Sequence, residues 1–230
     1  MSTLFTPFKL TNGTLIKNRI VKSAMSDNLG NGAGIPTPEQ ISLYEQWAKG
    51  GVGVLIVGEV QISPHYPESA GNLVVTKDTF SPEFRQLTET VTSKGCHIWA
   101  QLGHAGALSD PSISSPAGPS EIQSDMINAR ELPQSYLEEL PNLYARSALR
   151  CKQLGFSGVQ IHAAHGFLLS QILSPLFNKR KDKFGGSIHN RFTLIENIIE
   201  SVRDKVGSRF PVSLKLNCSD FLEGGFVNLP

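Results

Sequence analysis

Two histidines stand three residues apart in HAAHGF (162–167), directly after the apolar run GVQI (158–161). Gln101 and His104 fall in AQLGHAG, Lys215 in SLKLN, and Ser23 and Ser26 in SAMS, each at the end of another apolar run. Two imidazoles, an amide and an ammonium form a donor set suited to a polar planar ligand and to a carbonyl oxygen. They form a poor metal site, because no carboxylate accompanies the histidine pair, although Glu59 and Asp220 lie near other strand ends. No metal is expected. No serine or cysteine is marked by its surroundings as a nucleophile. An ammonium inside an apolar strand requires a partner, so Lys215 implies a ligand or a carboxylate beside it. Gln101 also reads as a residue that satisfies loop backbone groups, and His104 alone reads equally well as a packed structural side chain.

The elements that must position these residues alternate along the chain. Asn12-Gly13 between short alternating runs predicts a β-hairpin. Residues 19–25, 52–62, 97–104, 158–162 and 211–217 read as five strands, the second apolar throughout and so buried on both faces. Thr37 caps a first helix, with Pro38 at its first position and Gly50-Gly51 as its stop, and Ser81, Pro82 and Gly95 repeat the formula. A third helix ends near Leu154, with Pro141 marking a start or a kink. A fourth lies between Ser187 and Val206, with Ile195, Ile198, Ile199, Val202 and Val206 on one face. Residues 109–134 read as a long polar loop. NKRKDKFGGSIHNR (178–191) reads as a charged loop framework, with Asp182 and Arg191 as ion-pair partners, and FLEGGFVNLP (221–230) reads as loop.

Strand–helix alternation of this kind argues for a parallel sheet with helices outside. No G-x-G-x-x-G turn joins a strand to a helix, and no P-loop, HExxH or G-x-S-x-G motif is present. The expected fold is α/β, a (β/α)8 TIM barrel represented by about its first five βα units, with an N-terminal β-hairpin and a single domain over 1–230. Typical complete barrels use roughly 250 residues, so either the barrel is incomplete or three units come from elsewhere. In such a barrel the chemistry sits at the C-terminal ends of the strands, where the residues named above fall.

With 230 residues, 40% hydrophobic and 18% charged, the chain is long enough to bury a core. A formal net charge of +1 gives no field for nucleic acid or an anionic membrane. The apolar runs are too short to cross a bilayer, and MSTLFTPFKL has no apolar signal-peptide core. Cys96, Cys151 and Cys218 are scattered and read as reduced, inert packing thiols, which suits the cytoplasm. The sequons at Asn12 and Asn217 read as chance matches.

At this point LFTPFKLTNGTLIKNRIVKSAM, AQLGHAG, IHAAHGFLLSQILSPLFNKRKDKFGGSIHNR and SLKLN resemble the Old Yellow Enzyme family of FMN-dependent oxidoreductases, in its branch with a His-x-x-His pair. The resemblance spans essentially the whole chain. It implies FMN at the strand ends, NADH or NADPH as reductant, a small-molecule substrate and a possible homo-oligomer. It assigns Ser23, Ala24, Met25 and Ser26 to the first-strand segment lining the flavin, with Ser26 near its reactive edge. Val60 becomes a small-residue flavin contact, Gln101 the amide at the pyrimidine edge, and Lys215 the cation beside N1 and C2=O. His162 and His165 become the pair that grips a substrate carbonyl or nitro oxygen, so that the β-carbon of a conjugated alkene accepts hydride. Asn28 and Phe167 join them in contact with substrate.

The chain departs from the family pattern in ways that bear on chemistry. Phe167 stands where ene-reductases commonly carry a proton-donating tyrosine, Ser26 replaces a cysteine of some relatives, and Ala24 a frequent proline. The family's FMN phosphate site comes from strands seven and eight, beyond the five strands here. The expected function is therefore NAD(P)H-dependent reduction of an activated alkene such as an α,β-unsaturated carbonyl. The alternatives are a truncated, impaired fragment with weak or no FMN binding, and a flavin-dependent isomerase or oxidase favoured by Phe167.

Overall fold

A computed structural model describes residues 3–226. The hairpin expected at Asn12-Gly13 pairs β1 (Phe8–Lys9) with β2 (Leu15–Ile16), and Gly13 takes the positive φ its turn requires. β3 (Val21–Lys22) is shorter than the strand read over 19–25. It leads into α1 (Pro38–Lys49), whose first turn Thr37 caps by accepting the Gln40 N–H at 3.3 Å. β4 (Val54–Gln61) is buried at every position, as its apolar run requires. A short β5 (Leu73–Val74) adds to its C-terminal end. α2 (Pro82–Thr92) follows Ser81, but that hydroxyl donates to Glu83 Oε2 and leaves the helix N–H groups uncapped by it.

β6 (His97–Gly103) comes next. The stretch expected as a loop over 109–134 instead forms a small sheet of β7 (Ala117–Gly118), β8 (Ile122–Gln123) and β9 (Asn128–Glu131). α3 (Gln134–Gln153) continues through Pro141, which is thus inside the helix and not its start. Its missing N–H is tolerated because Leu137, Leu140, Tyr144, Ala148 and Cys151 bury one whole face of the helix. β10 (Gly158–Ala163) is followed by α4 (Leu168–Leu173), a short helix not foreseen, then α5 (Ile188–Val206), capped by Ser187, and β11 (Val212–Leu216). Of the closing loop, residues 227–230 lie outside the described residues.

The five long-range strands pair in the order β11-β10-β6-β4-β3, all parallel. This is the barrel wall expected from the sequence, in five strands. Alternation sorts its side chains. Leu55, Val57, Ile98, Ala100, Leu102, Val159 and Ile161 pack outward against the helices in the large core. Val54, Ile56 and Trp99 point inward and meet Ile16 from the hairpin, which closes the N-terminal end. A one-residue bulge interrupts β4, since Val57 pairs with Ala100 and Val60 with Leu102.

The charged framework after α4 is built differently from the pairing expected. Asp182 bonds to Arg180, whereas Arg191 donates to the carbonyls of Leu173 and Gly186. Cys96 and Cys151 are buried as expected, and Cys218 is exposed, so it is no packing thiol.

Candidate active site

The inward face carries the chemistry. Gln101 on β6 lies opposite Gln160 on β10, and His162 opposite Lys215 on β11, in the parallel register. Partners in register share a face, and positions two apart on one strand do too. Gln101, Gln160, His162, Ser213 and Lys215 therefore converge toward the C-terminal end of the wall. Gln101 Nε2 donates to Gln160 Oε1 at 2.8 Å, and Gln160 Nε2 to Ser213 Oγ at 3.4 Å. Gln160 was missed in the sequence, yet its place two residues before His162 is the signal that assigns it to this face.

The turn after β10 sets the histidine pair. His165 and Gly166 both take positive φ, the left-handed conformation that reverses the chain within one step. Asn217 at the end of β11 accepts the His165 N–H at 3.1 Å and pins the turn. The two rings meet edge to face with centroids 5.0 Å apart, and the Phe167 ring packs 5.2 Å from His162. His162 Nδ1 accepts the Ala164 N–H, so the ring proton sits on Nε2 as a donor. Burial, reinforced by His165 and Lys215, pushes the His162 pKa down to about 3. Burial and Lys215 lower that of His165, against a smaller opposing pull from Glu68. Both rings are thus neutral donors near neutral pH.

Among the described residues, Lys215 has no carboxylate or hydrogen-bond partner; it is half-buried rather than fully enclosed. Ser26 runs beside β4 through a bridge to Gly58, where an added Cβ would lie 2.7 Å from Ala24 Cβ. Ser23 and Met25 are exposed, and Ala24 packs on the inner cluster. Asn28 takes positive φ and is the hydrogen-bond partner of Ser69. Val60 is not brought to this face by its side chain: beyond the bulge it is fully buried in the outer core. His104 is structural. It is stacked on Tyr66, accepts the Gly106 N–H and bonds to Tyr136, and burial pushes its pKa down to about 3.

Glu59 is the acidic group on β4 that the sequence left without a role. Burial and nearby Glu68 push its pKa up to about 8. Its folded value lies above the unfolded one, so its contribution to stability is present at low pH and lost as pH rises from about 4.5 to 8. His104 and His162 lie below their unfolded value of 6.5, so stability is lost as pH falls from there toward 3. Two histidines outweigh one carboxyl between 4.5 and 6.5, and of these three groups only the carboxyl acts from 6.5 to about 8. The melting temperature is expected to peak between about pH 6 and 7 and to fall on both sides, with Glu59→Gln removing the alkaline fall. Calorimetry across pH checks this, and a flat profile would contradict it.

Parallel strands with helices outside and donors gathered at the strand C-termini define a wall of the (β/α)-barrel class. Residues 3–227 match the NADH:flavin oxidoreductase / NADH oxidase family, and the chain belongs to it. It is 35% identical to an NADH oxidase of Thermoanaerobacter brockii, over 92% of this chain and 33% of that one. It is 34% identical to an NADPH dehydrogenase of Listeria welshimeri, over 98% and 66%. A 2-naphthoyl-CoA reductase complex superposes with a TM-score of 0.93 at 26% identity, covering 98% of this chain and 37% of that one. Morphinone reductase with tetrahydroNAD gives 0.85 at 26% identity, over 100% and 68%. The chain thus spans about a third of the NADH oxidase it matches. The family is one of flavin oxidoreductases that take FMN and a nicotinamide reductant.

The inward face fits the flavin ring. Gln101 offers an amide held by Gln160, Lys215 offers a cation two strands away on the same face, and Ser23 and Met25 of the 23–26 segment are exposed. A flat ring with carbonyl and imide edges meets these donors without displacing an ion pair.

Proposed function

We propose that the chain forms the ring-binding and substrate-activating part of an FMN-dependent NAD(P)H oxidoreductase that reduces an activated alkene, an α,β-unsaturated carbonyl. When bound, FMN supplies the hydride taken from NADH or NADPH. The observation that carries the reading is the neutral His162–His165 pair in register with Lys215. Neutral imidazole N–H groups donate to a substrate oxygen and draw electron density from the conjugated β-carbon. Ser23, Ala24, Met25 and Ser26 would line the ring, Gln101 would hold its pyrimidine edge, and Lys215 would offset the charge that gathers near N1. Val60 would contribute backbone, and Asn28 and Phe167 would bound the substrate. Cyclohexenone reduction with NAD(P)H by the flavin-loaded chain tests the reading; no consumption of the enone would refute it.

An isomerase or oxidase using the same pocket is favoured by one observation, the Phe167 ring beside His162, which has no proton to give. Product analysis separates the two, since only the reductase yields the saturated ketone.

Lys215→Ala should slow flavin reduction more than it weakens substrate binding, because a fixed charge matters most once the ring carries negative charge. Stopped-flow reduction by NAD(P)H is expected to slow at least tenfold (about 1.4 kcal/mol), while the substrate dissociation constant moves little. An unchanged reduction rate would remove Lys215 from that role.

A further inference from the structure

The loop between β4 and β5 clasps the segment assigned to the flavin at three successive points. Ser26 Oγ donates to Glu68 Oε2 at 2.5 Å, Ser69 Oγ donates to Asn28 Oδ1, and the Gly30 N–H donates to the Gly71 carbonyl at 2.9 Å. The last rung requires glycine on both sides. A Cβ at Gly71 would lie 2.5 Å from the Asn28 carbonyl oxygen, and one at Gly30 would lie 2.7 Å from that of Gly71.

Asn72 anchors the clasp. It is 3% exposed, and its Oδ1 accepts from the Glu68 N–H at 2.8 Å, the Ser69 N–H at 3.1 Å and Gln61 Nε2 at 3.0 Å. Its Nδ2 donates to Glu68 Oε2 at 3.5 Å. Gln61 ends β4, so the half-buried Glu68 is tied to the barrel wall as well as to Ser26. A carboxylate has no proton to give, so the Ser26 hydroxyl spends its single proton on Glu68. Toward the ring edge Ser26 is left with a lone pair. A hydroxyl free to donate there would stabilise the negative charge that gathers on reduction, and this one withholds that donor.

We propose that Glu68 is a positioning residue that keeps the reduction potential of the bound flavin low by holding the Ser26 proton away from the ring. The proposal rests on the reading above that sets Ser26 beside FMN, and it does not depend on which substrate is reduced. Glu68 touches neither flavin nor substrate and acts only through the Ser26 hydroxyl. The Ser69 and Gly71 rungs keep that hydroxyl in reach, because they fix the backbone on either side of the contact.

The potential of the FMN-loaded chain, measured against a reference dye, reads this without any substrate. Glu68→Leu removes the acceptor and frees the hydroxyl. The reduced flavin should gain about tenfold over the oxidised one, a rise of about 30 mV for two electrons. Glu68→Gln keeps a neutral carbonyl acceptor and should give a smaller rise. Asn72 holds the loop through backbone N–H groups, so both variants keep the clasp. In a Ser26→Ala background most of the rise should vanish, since no hydroxyl is left to turn. Equal rises in the two variants that persist with Ser26→Ala would show the charge of Glu68 acting through space and overturn the role of the Ser26 proton. An unchanged potential in Glu68→Leu would overturn the proposal and leave ene reduction standing. The stated shifts in a chain that reduces no enone would sink only the substrate reading, and a chain that takes up no FMN would sink both.

Discussion

His162→Ala in the flavin-loaded chain is expected to lower enone turnover by about 10²–10³-fold, the usual cost of one preorganised donor to a developing oxyanion. The ring is buried at 3% exposure, its Nδ1 is occupied by the Ala164 N–H, and its Nε2–H is therefore fixed in direction. Alanine removes the donor and leaves His165 alone on a turn that Asn217 still holds. Flavin reduction by NAD(P)H does not use the substrate oxygen, so that half-reaction should run at the wild-type rate. His162→Asn should recover part of the loss, since an amide N–H can reach the same oxygen. Steady-state kinetics and single-turnover flavin reduction on the three chains check this. Equal loss in both half-reactions would mean that His162 acts through the fold.

Arg180→Ala should destabilise the fold by about 3 kcal/mol, the lower end of the range for breaking a buried ion pair. The Arg180 side chain is 5% exposed and donates to Asp182, to Glu131 Oε1 at 3.1 Å, and to the carbonyls of Pro119 and Leu132 at 2.9 Å each. One guanidinium therefore joins the loop after α4 to the C-terminal ends of β7 and β9, which lie side by side. Its removal strands a half-buried carboxylate and two buried carbonyls together. Arg180→Lys should repair little, because one ammonium cannot span four acceptors in a plane. Urea unfolding at constant m-value reads the effect. A midpoint within error of wild type would show that water replaces the guanidinium at no cost.

The barrel wall was legible because each strand announces itself by an apolar run and the first two helices by a Thr or Ser followed by Pro. The small sheet was not, since β7 and β8 are two residues each and carry no alternation to detect. α4 is six residues long and entirely buried, so it shows no amphipathic period. His162, Gln101 and Lys215 could be gathered from strand ends alone, because a parallel wall puts those ends together. Glu68 could not: its place beside Ser26 depends on how a loop folds back through Asn72. Arg191 was misassigned because a charged residue in sequence looks like half of an ion pair, whereas this one satisfies backbone carbonyls. Val60 was placed with the flavin by the family resemblance, and the structure shows its side chain on the other side of the wall.

The bulge in β4 works like a frameshift within the strand. Before it, Leu55 and Val57 face the helices; after it, Val60 and Ile62 do, so the extra residue exchanges odd for even positions. Deleting Gly58 alone would leave every later residue chemically intact but out of phase. Val60 and Ile62 would then turn toward the barrel axis, and the polar Gln61 would be driven into the apolar layer beneath the helices. The strand thus carries its packing message in two frames, odd positions up to Val57 and even positions from Val60 onward. A length change at this one step, without any substitution, would be enough to scramble the second while sparing the first.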